Sequence, residues 1–194
     1  MRTLFTGPMK SGKSMELLKV AQKLDAHNET YLAFKPKTDT RDINIIKSRC
    51  SETPSIPCQM ISSPQSIIII LESNPVKNII IDEVQLFDDE ILCVLEFAGE
   101  LGIDVWAAGL DSNFRGEPFQ MGNINTDDLD FEFDDVQELF ANCDVCAMPA
   151  RHTQRLIDGK PAHYNSPILA IEGDGPYTYQ ARCSGCHKVP GVIK

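Results

Sequence analysis

Residues 7–14 read Gly7-Pro8-Met9-Lys10-Ser11-Gly12-Lys13-Ser14. The pattern G-x-x-x-x-G-K-[ST] carries meaning where a strand runs into a helix, and both neighbours qualify. Arg2–Thr6 is a short run fit for a buried strand. From Lys13 to Ala26 the residues Met15, Leu17, Leu18, Ala21 and Leu24 recur at helical spacing. Glycine lets the backbone wrap a phosphate without Cβ clashes, and successive N–H groups at a helix N-terminus supply positive potential. The whole stretch, Gly7, Pro8, Met9, Lys10, Ser11 and Gly12 included, is therefore expected to cradle nucleotide phosphates. Lys13 reaches the β- and γ-phosphates and Ser14 holds Mg²⁺.

Further along the chain, Thr30 to Lys35 reads as a second strand, stopped by Pro36. Residues 36–65, with Pro36, Pro54, Pro57 and Pro64, read as loop. Asn78 to Asp82 is an aliphatic strand that ends in acid, the expected partner of a phosphate loop. Asp82 is placed to bind Mg²⁺ through water, and Glu83 to take a proton from an attacking hydroxyl beside the γ-phosphate. Asp88 to Gly102 reads as a helix and Val105 to Ala108 as another buried strand. Aliphatic strands alternating with helices imply an α/β fold of the P-loop NTPase type, a parallel sheet with helices on its faces.

Charge narrows the ligands. With 18 Lys and Arg against 28 Asp and Glu the net charge is −10, which excludes sequence-independent nucleic-acid binding and docking on an anionic membrane. A nucleotide needs only local backbone N–H groups and one or two cations. The longest aliphatic run, Ser66 to Leu71, is too short to span a bilayer, and no secretory pattern opens the chain. A cytoplasmic protein is expected. Asn125 to Asp135 holds six acidic residues and reads as a solvated, mobile connection.

Beyond it the cysteines dominate. Cys143-Asp144-Val145-Cys146 and Cys183-Ser184-Gly185-Cys186 are separated by 36 residues. Each C-x-x-C makes a tight knuckle, and four thiolates suit a closed tetrahedral Zn²⁺ site that is structural rather than catalytic. His187 adjoins the last cysteine and is the alternative fourth ligand. We expect a phosphate-binding domain at 1–138 and a small zinc-binding domain at 139–194.

Taken in order, these pieces resemble the thymidine kinase family of the zinc-containing cellular and bacterial type. GPMKSGKS is similar to its phosphate loop. Lys35-Pro36, Asp39-Thr40-Arg41 and Ser48-Arg49 are similar to its second segment. Asp82-Glu83-Val84-Gln85-Leu86-Phe87 resembles D-E-x-Q-F-F, and Gly109-Leu110-Asp111-Ser112-Asn113-Phe114 with Pro118-Phe119 resembles L-D-x-x-F…P-F. Cys143, Cys146, Ala150, Thr153 and Arg155 match C-x-x-C-x₃-A-x₂-T-x-R, and Tyr179 stands four residues before Cys183.

The resemblance implies transfer of the ATP γ-phosphoryl group to the 5′-hydroxyl of thymidine, with Mg²⁺, by a homotetramer. By that analogy Glu83 is the general base, Lys13 and Arg41 support the phosphates or the transition state, and Asp39 and Gln85 belong to the ATP and metal side. Phe114 stacks on the base, while Met9, Leu110, Phe119 and Thr153 line its pocket. Tyr179 sits on a lid, or lasso, between the cysteine pairs. On residue chemistry alone Asp39 and Arg41 also read as a surface ion pair, and Phe114 as plain core.

This chain departs from the family pattern at five places, one of them the acidic connection at 125–135, which is longer than usual and bears on the subunit contacts. Lys10 stands where Phe or a small residue is usual, Leu86 replaces an aromatic, and Ala147 replaces a common Gly. The lid, Ile171 to Tyr179, is longer than typical, so that Tyr177 competes with Tyr179 for the lid tyrosine. The altered lid leaves room for a deoxynucleoside kinase with another base preference. Intact Lys13, Ser14, Asp82 and Glu83 argue against a nucleotide-binding regulator without catalysis.

Overall fold

The structure is a computed structural model describing residues 1–48, 55–173 and 175–192; Arg49, Pro54 and, within the lid, Asp174 of the sequence reading lie outside the described residues. Six strands form one parallel sheet: β1 (Arg2–Thr6), β2 (Tyr31–Pro36), β3 (Gln59–Ile61), β4 (Asn78–Ile81), β5 (Asp104–Gly109) and β6 (Asp135–Glu138). Their order across the sheet is β6-β1-β5-β4-β2-β3, with every pairing parallel.

Alternation along the strands sorts the core into two layers. Leu4, Phe34, Ile79, Ile81, Val105 and Ala107 face α2 (Gln65–Ser73) and α3 (Ile91–Glu100). Phe5, Ala33, Ile80 and Ala108 face α1 (Lys13–Ala26), whose Leu17, Leu18, Val20, Ala21 and Leu24 form the buried stripe. Strands buried on both faces read as continuous aliphatic runs for this reason.

Two expectations change, and one unassigned run gains a structure. The proline-rich stretch contains β3, which pairs with β2, and a two-residue ladder joining Ile45–Ile46 to Ile56–Pro57. The apolar run at Ser66–Leu71 is most of helix α2, with Ile67 and Leu71 buried and Ile69 facing solvent. The acidic stretch is built rather than a solvated connection. Asn125 and Asp128 form a capping box at the start of α4 (Thr126–Asp130), and Leu129 and Phe133 enter the core. The chain then joins the sheet edge as β6. Among the described residues no helix is long and apolar enough to cross a membrane.

After β6, Leu139 N–H still donates to Thr6 O at 2.8 Å. The rest is antiparallel and small. β7 (His152–Ile157) pairs with β8 (Tyr177–Arg182) along its full length, and Ala141–Asn142 pairs with Pro149–Ala150.

Candidate active site

Strand β1 delivers the chain into the 7–14 loop at the carboxyl end of the sheet, where Gly7 (φ 139°) and Gly12 (φ 92°) both take positive φ. A Cβ on Gly7 would lie 2.2 Å from Leu139 O, so no other residue fits. Lys13 Nζ lies inside the loop, donating to Gly7 O at 2.9 Å and Pro8 O at 2.7 Å. Burial pulls the Lys13 pKa down, and the carboxylates Glu83, Asp111 and Asp82 oppose that pull.

Asp82 follows β4 directly. Ser14 Oγ donates to its carboxylate at 3.2 Å and Glu83 N–H at 3.0 Å. Burial, reinforced by the neighbouring Glu83 charge, pushes Asp82 up to about 7. Glu83 has a left-handed backbone (φ 53°), a costly conformation for a residue with a Cβ; the chain turns there into the short 3₁₀ turn Val84–Leu86. Both Glu83 oxygens are held. Arg41 Nη2 donates to Oε1 at 2.6 Å, and Gln85 Nε2 donates to Oε2 at 2.7 Å.

Each holder is fixed in turn. Gln85 Oε1 accepts from Leu110 N–H at 3.0 Å. Arg41 forks onto Asp39 at 2.7 and 3.0 Å, and Lys35 Nζ meets the same carboxylate at 2.8 Å. Asp39 is fully buried, so this is no surface pair. Although burial opposes them, the Arg41 and Lys35 contacts hold Asp39 below the usual carboxylate range.

Two cavities meet at Glu83. One is polar and holds Gly12, Lys13, Ser14, Lys35, Asp39 and Asp82; the other holds Gln85, Phe114, Phe119, Thr153, Arg155 and Tyr179 under the segment Ile168–Glu172. Met9, Arg41, Glu83 and Leu110 line both. Gln85, expected on the phosphate side, thus lines the second cavity and orients Glu83. Thr153 Oγ1 accepts from Met9 N–H at 3.0 Å, tying the loop to β7. Tyr179 rather than Tyr177 lines the second cavity, with its hydroxyl donating to Ala170 O.

The four knuckle cysteines converge, their Sγ atoms all within 4.8 Å of one another. The Cys146–Cys183 and Cys186–Cys146 separations are 3.6 and 3.7 Å. A tetrahedron with Zn–S of about 2.3 Å has edges of about 3.8 Å, so the donor set fits zinc. His187 is not among the four; its Nε2 lies 2.9 Å from Phe114 O.

Lys10 borders the polar cavity, but its Nζ is engaged by Asp144 of the first knuckle at 2.9 Å. Ala147 takes a left-handed conformation (φ 59°), which accounts for glycine being common there. Arg155, for which the sequence supplied only a motif position, lies buried between Phe114 and the lid. Its role follows from partners distant in sequence, and no local signal marks it.

A glycine-bearing phosphate loop, a strand-end carboxylate pair and an adjoining lidded cavity define a P-loop phosphoryl-transfer enzyme with its own acceptor pocket. A thymidine kinase family profile matches residues 2–187. A thymidine kinase of Ureaplasma parvum serovar 3 is 42% identical over 191 residues, covering 96% of this chain and 82% of the relative. One from Ureaplasma urealyticum serovar 10 is 41% identical with the same coverage, and one from Mesoplasma florum is 35% identical over 192 residues, 96% of this chain and 90% of the relative. The chain belongs to the thymidine kinase family.

Proposed function

We propose that this chain transfers the γ-phosphoryl group of ATP to the 5′-hydroxyl of thymidine, with Glu83 as general base. The observation that carries this reading is the position of Glu83 at the junction of the two cavities, held by Arg41 from the phosphate side and by Gln85 from the acceptor side. A hydroxyl entering from the lidded cavity gives its proton to Glu83 as its oxygen bonds to phosphorus and the bond from phosphorus to ADP breaks. Lys13 and Arg41 hold the charge on the transferring group. Mg²⁺, which Ser14 and Asp82 would hold, supplies charge neutralisation at the phosphates.

The acceptor pocket suits a neutral nucleoside: an aromatic platform, Phe114, a second aromatic, Phe119, and a few polar atoms under a lid that keeps out water. Cys143, Cys146, Cys183 and Cys186 would hold one Zn²⁺ with no open position, stapling β7, β8 and the lid they carry. We assign 1–138 to phosphate binding and 139–194 to the zinc-held acceptor wall, and expect a cytoplasmic homotetramer on the family pattern.

The test is turnover with ATP and Mg²⁺ on thymidine, deoxyuridine, deoxycytidine and deoxyguanosine. Thymidine should rank among the best acceptors; a clear preference for deoxycytidine or deoxyguanosine would refute the thymidine assignment. Metal analysis should return about one zinc per chain.

A further inference from the structure

We infer that Arg155 is a positioning residue that sets the lid in register with the aromatic platform, and so determines how tightly the acceptor is bound. The inference rests on reading the lidded cavity as the nucleoside site. Arg155 stands on β7 opposite Tyr179 of β8 and is almost wholly buried. Its guanidinium lies 4.3 Å from the centre of the Phe114 ring, packed against the platform. The same planar group spends its N–H bonds on the lid. Nε donates to the Tyr179 hydroxyl at 2.8 Å, Nη1 donates to Pro167 O and Nη2 to Ile168 O. The Tyr179 hydroxyl passes the connection on to Ala170 O.

The consequence is geometric. Residues 168–172 are not in a helix or strand, so no ladder fixes their backbone. The fork of Arg155 supplies fixed points at Pro167 and Ile168, and the Tyr179 hydroxyl adds one at Ala170, beside the contact of Tyr179 N–H to Glu172 Oε1 at 3.4 Å. Because the guanidinium that holds the lid also sits over the Phe114 ring, a single side chain links platform and lid. A lysine keeps the charge but not the two parallel donors or the flat face, so charge alone does not replace Arg155. The hydrogen bonds of Arg155 and Tyr179 described above run to the lid, whereas Thr153 and Asp144 bind the phosphate loop.

The experiment compares Arg155→Gln, Arg155→Lys and Tyr179→Phe in the zinc-loaded full chain. KM is measured separately for thymidine and ATP, with limited proteolysis of the lid in ligand-free protein. Loss of hydrogen bonds from a charged donor corresponds to roughly tenfold or more in binding. Arg155→Gln and Arg155→Lys should therefore raise the thymidine KM by about tenfold or more, leave the ATP KM within about twofold, and speed lid cleavage. Tyr179→Phe, which removes one hydroxyl, should show the same pattern in weaker form and covers the case in which the arginine variants fail to fold. An unchanged thymidine KM, or parallel rises in both KM values with lost thermal stability, overturns the inference in favour of a merely structural role. If the native enzyme does not accept thymidine, the nucleoside reading fails, and lid cleavage still decides: an unchanged cleavage rate in Arg155→Gln overturns the role of Arg155.

Discussion

Asp82→Asn should make this protein more stable while disabling it, and the gain should depend on pH. The carboxyl is buried beside Glu83, and its pKa is pushed up to about 7 from 3.8. For a carboxyl raised on folding, the unfolded chain releases its proton first as pH rises. Ionisation then favours the unfolded state increasingly between about pH 4 and pH 7. Below that window the folded carboxyl is neutral and costs nothing; above it the full cost of a buried charge is present. At about 1.36 kcal/mol for each tenfold in the ionisation constant, that cost has a ceiling of roughly 4 kcal/mol.

The replacement amide keeps an oxygen for the N–H of Glu83 and the hydroxyl of Ser14, but brings an NH₂ that must find acceptors in a buried site. A net gain of about 1–2 kcal/mol is the expected outcome at pH 8, a rise in Tm of about 3–6 °C for a chain of this size. The assay is a set of thermal melts of both proteins at pH 5, 6, 7 and 8 without nucleotide, repeated with ATP and Mg²⁺. The gain should grow with pH and change sign at about pH 6, leaving the variant no more stable than the native protein at pH 5. Added ATP and Mg²⁺ should stabilise the native protein more than the variant, because the ionised carboxylate is what the metal would meet. A gain that is flat across this range, or a variant less stable at pH 8, would refute burial of an ionised Asp82 as the source.

Glu83→Gln removes the proposed proton acceptor while keeping a side chain of the same shape. Turnover should fall by about 10²–10⁴-fold, with ATP affinity by calorimetry little changed. Ala147→Gly relieves a left-handed conformation at a residue with a Cβ, worth about 1 kcal/mol; the zinc-loaded variant should melt about 2–4 °C higher. Lys10→Met breaks a half-exposed ion pair with Asp144, so stability should change by less than about 1 kcal/mol. The ATP KM should shift by no more than about fivefold, whereas a larger loss would place Lys10 on phosphate.

The parts legible in the sequence are those whose chemistry is local. The phosphate loop has contiguous donors, Asp82 and Glu83 end an aliphatic strand, and each cysteine pair makes its own turn. Helix α2 escaped because Ile67 to Ile70 are β-branched, an unfavourable choice for a helix; packing of Ile67 and Leu71 on the sheet overrides that preference. Strand β6 escaped because an edge strand reading Asp-Val-Gln-Glu is largely exposed and looks like the acidic stretch before it. Gln85 lines the second cavity rather than the first because the 3₁₀ turn that aims it begins at a left-handed glutamate, which spacing does not reveal. Arg155 needs the lid, β8 and Phe114 in place before its fork has any partner.

The phosphate loop itself is more firmly built into the acceptor wall than its sequence suggests. Gly7 packs on Leu139 O, Met9 N–H donates to Thr153 on β7, and Lys10 pairs with Asp144. Asp144 also accepts from Ala181 N–H at 2.7 Å, so one carboxylate joins the loop, the first knuckle and β8. The direction of control follows from the burial. The Met9–Thr153 contact is the more sheltered of the two polar ties, and Thr153 is buried while Lys10 is half exposed. Registration of donor loop to acceptor wall therefore rests on Gly7 and Thr153. Lys10 adds a half-exposed ion pair to a junction already fixed, so its replacement should leave the loop in register with the wall.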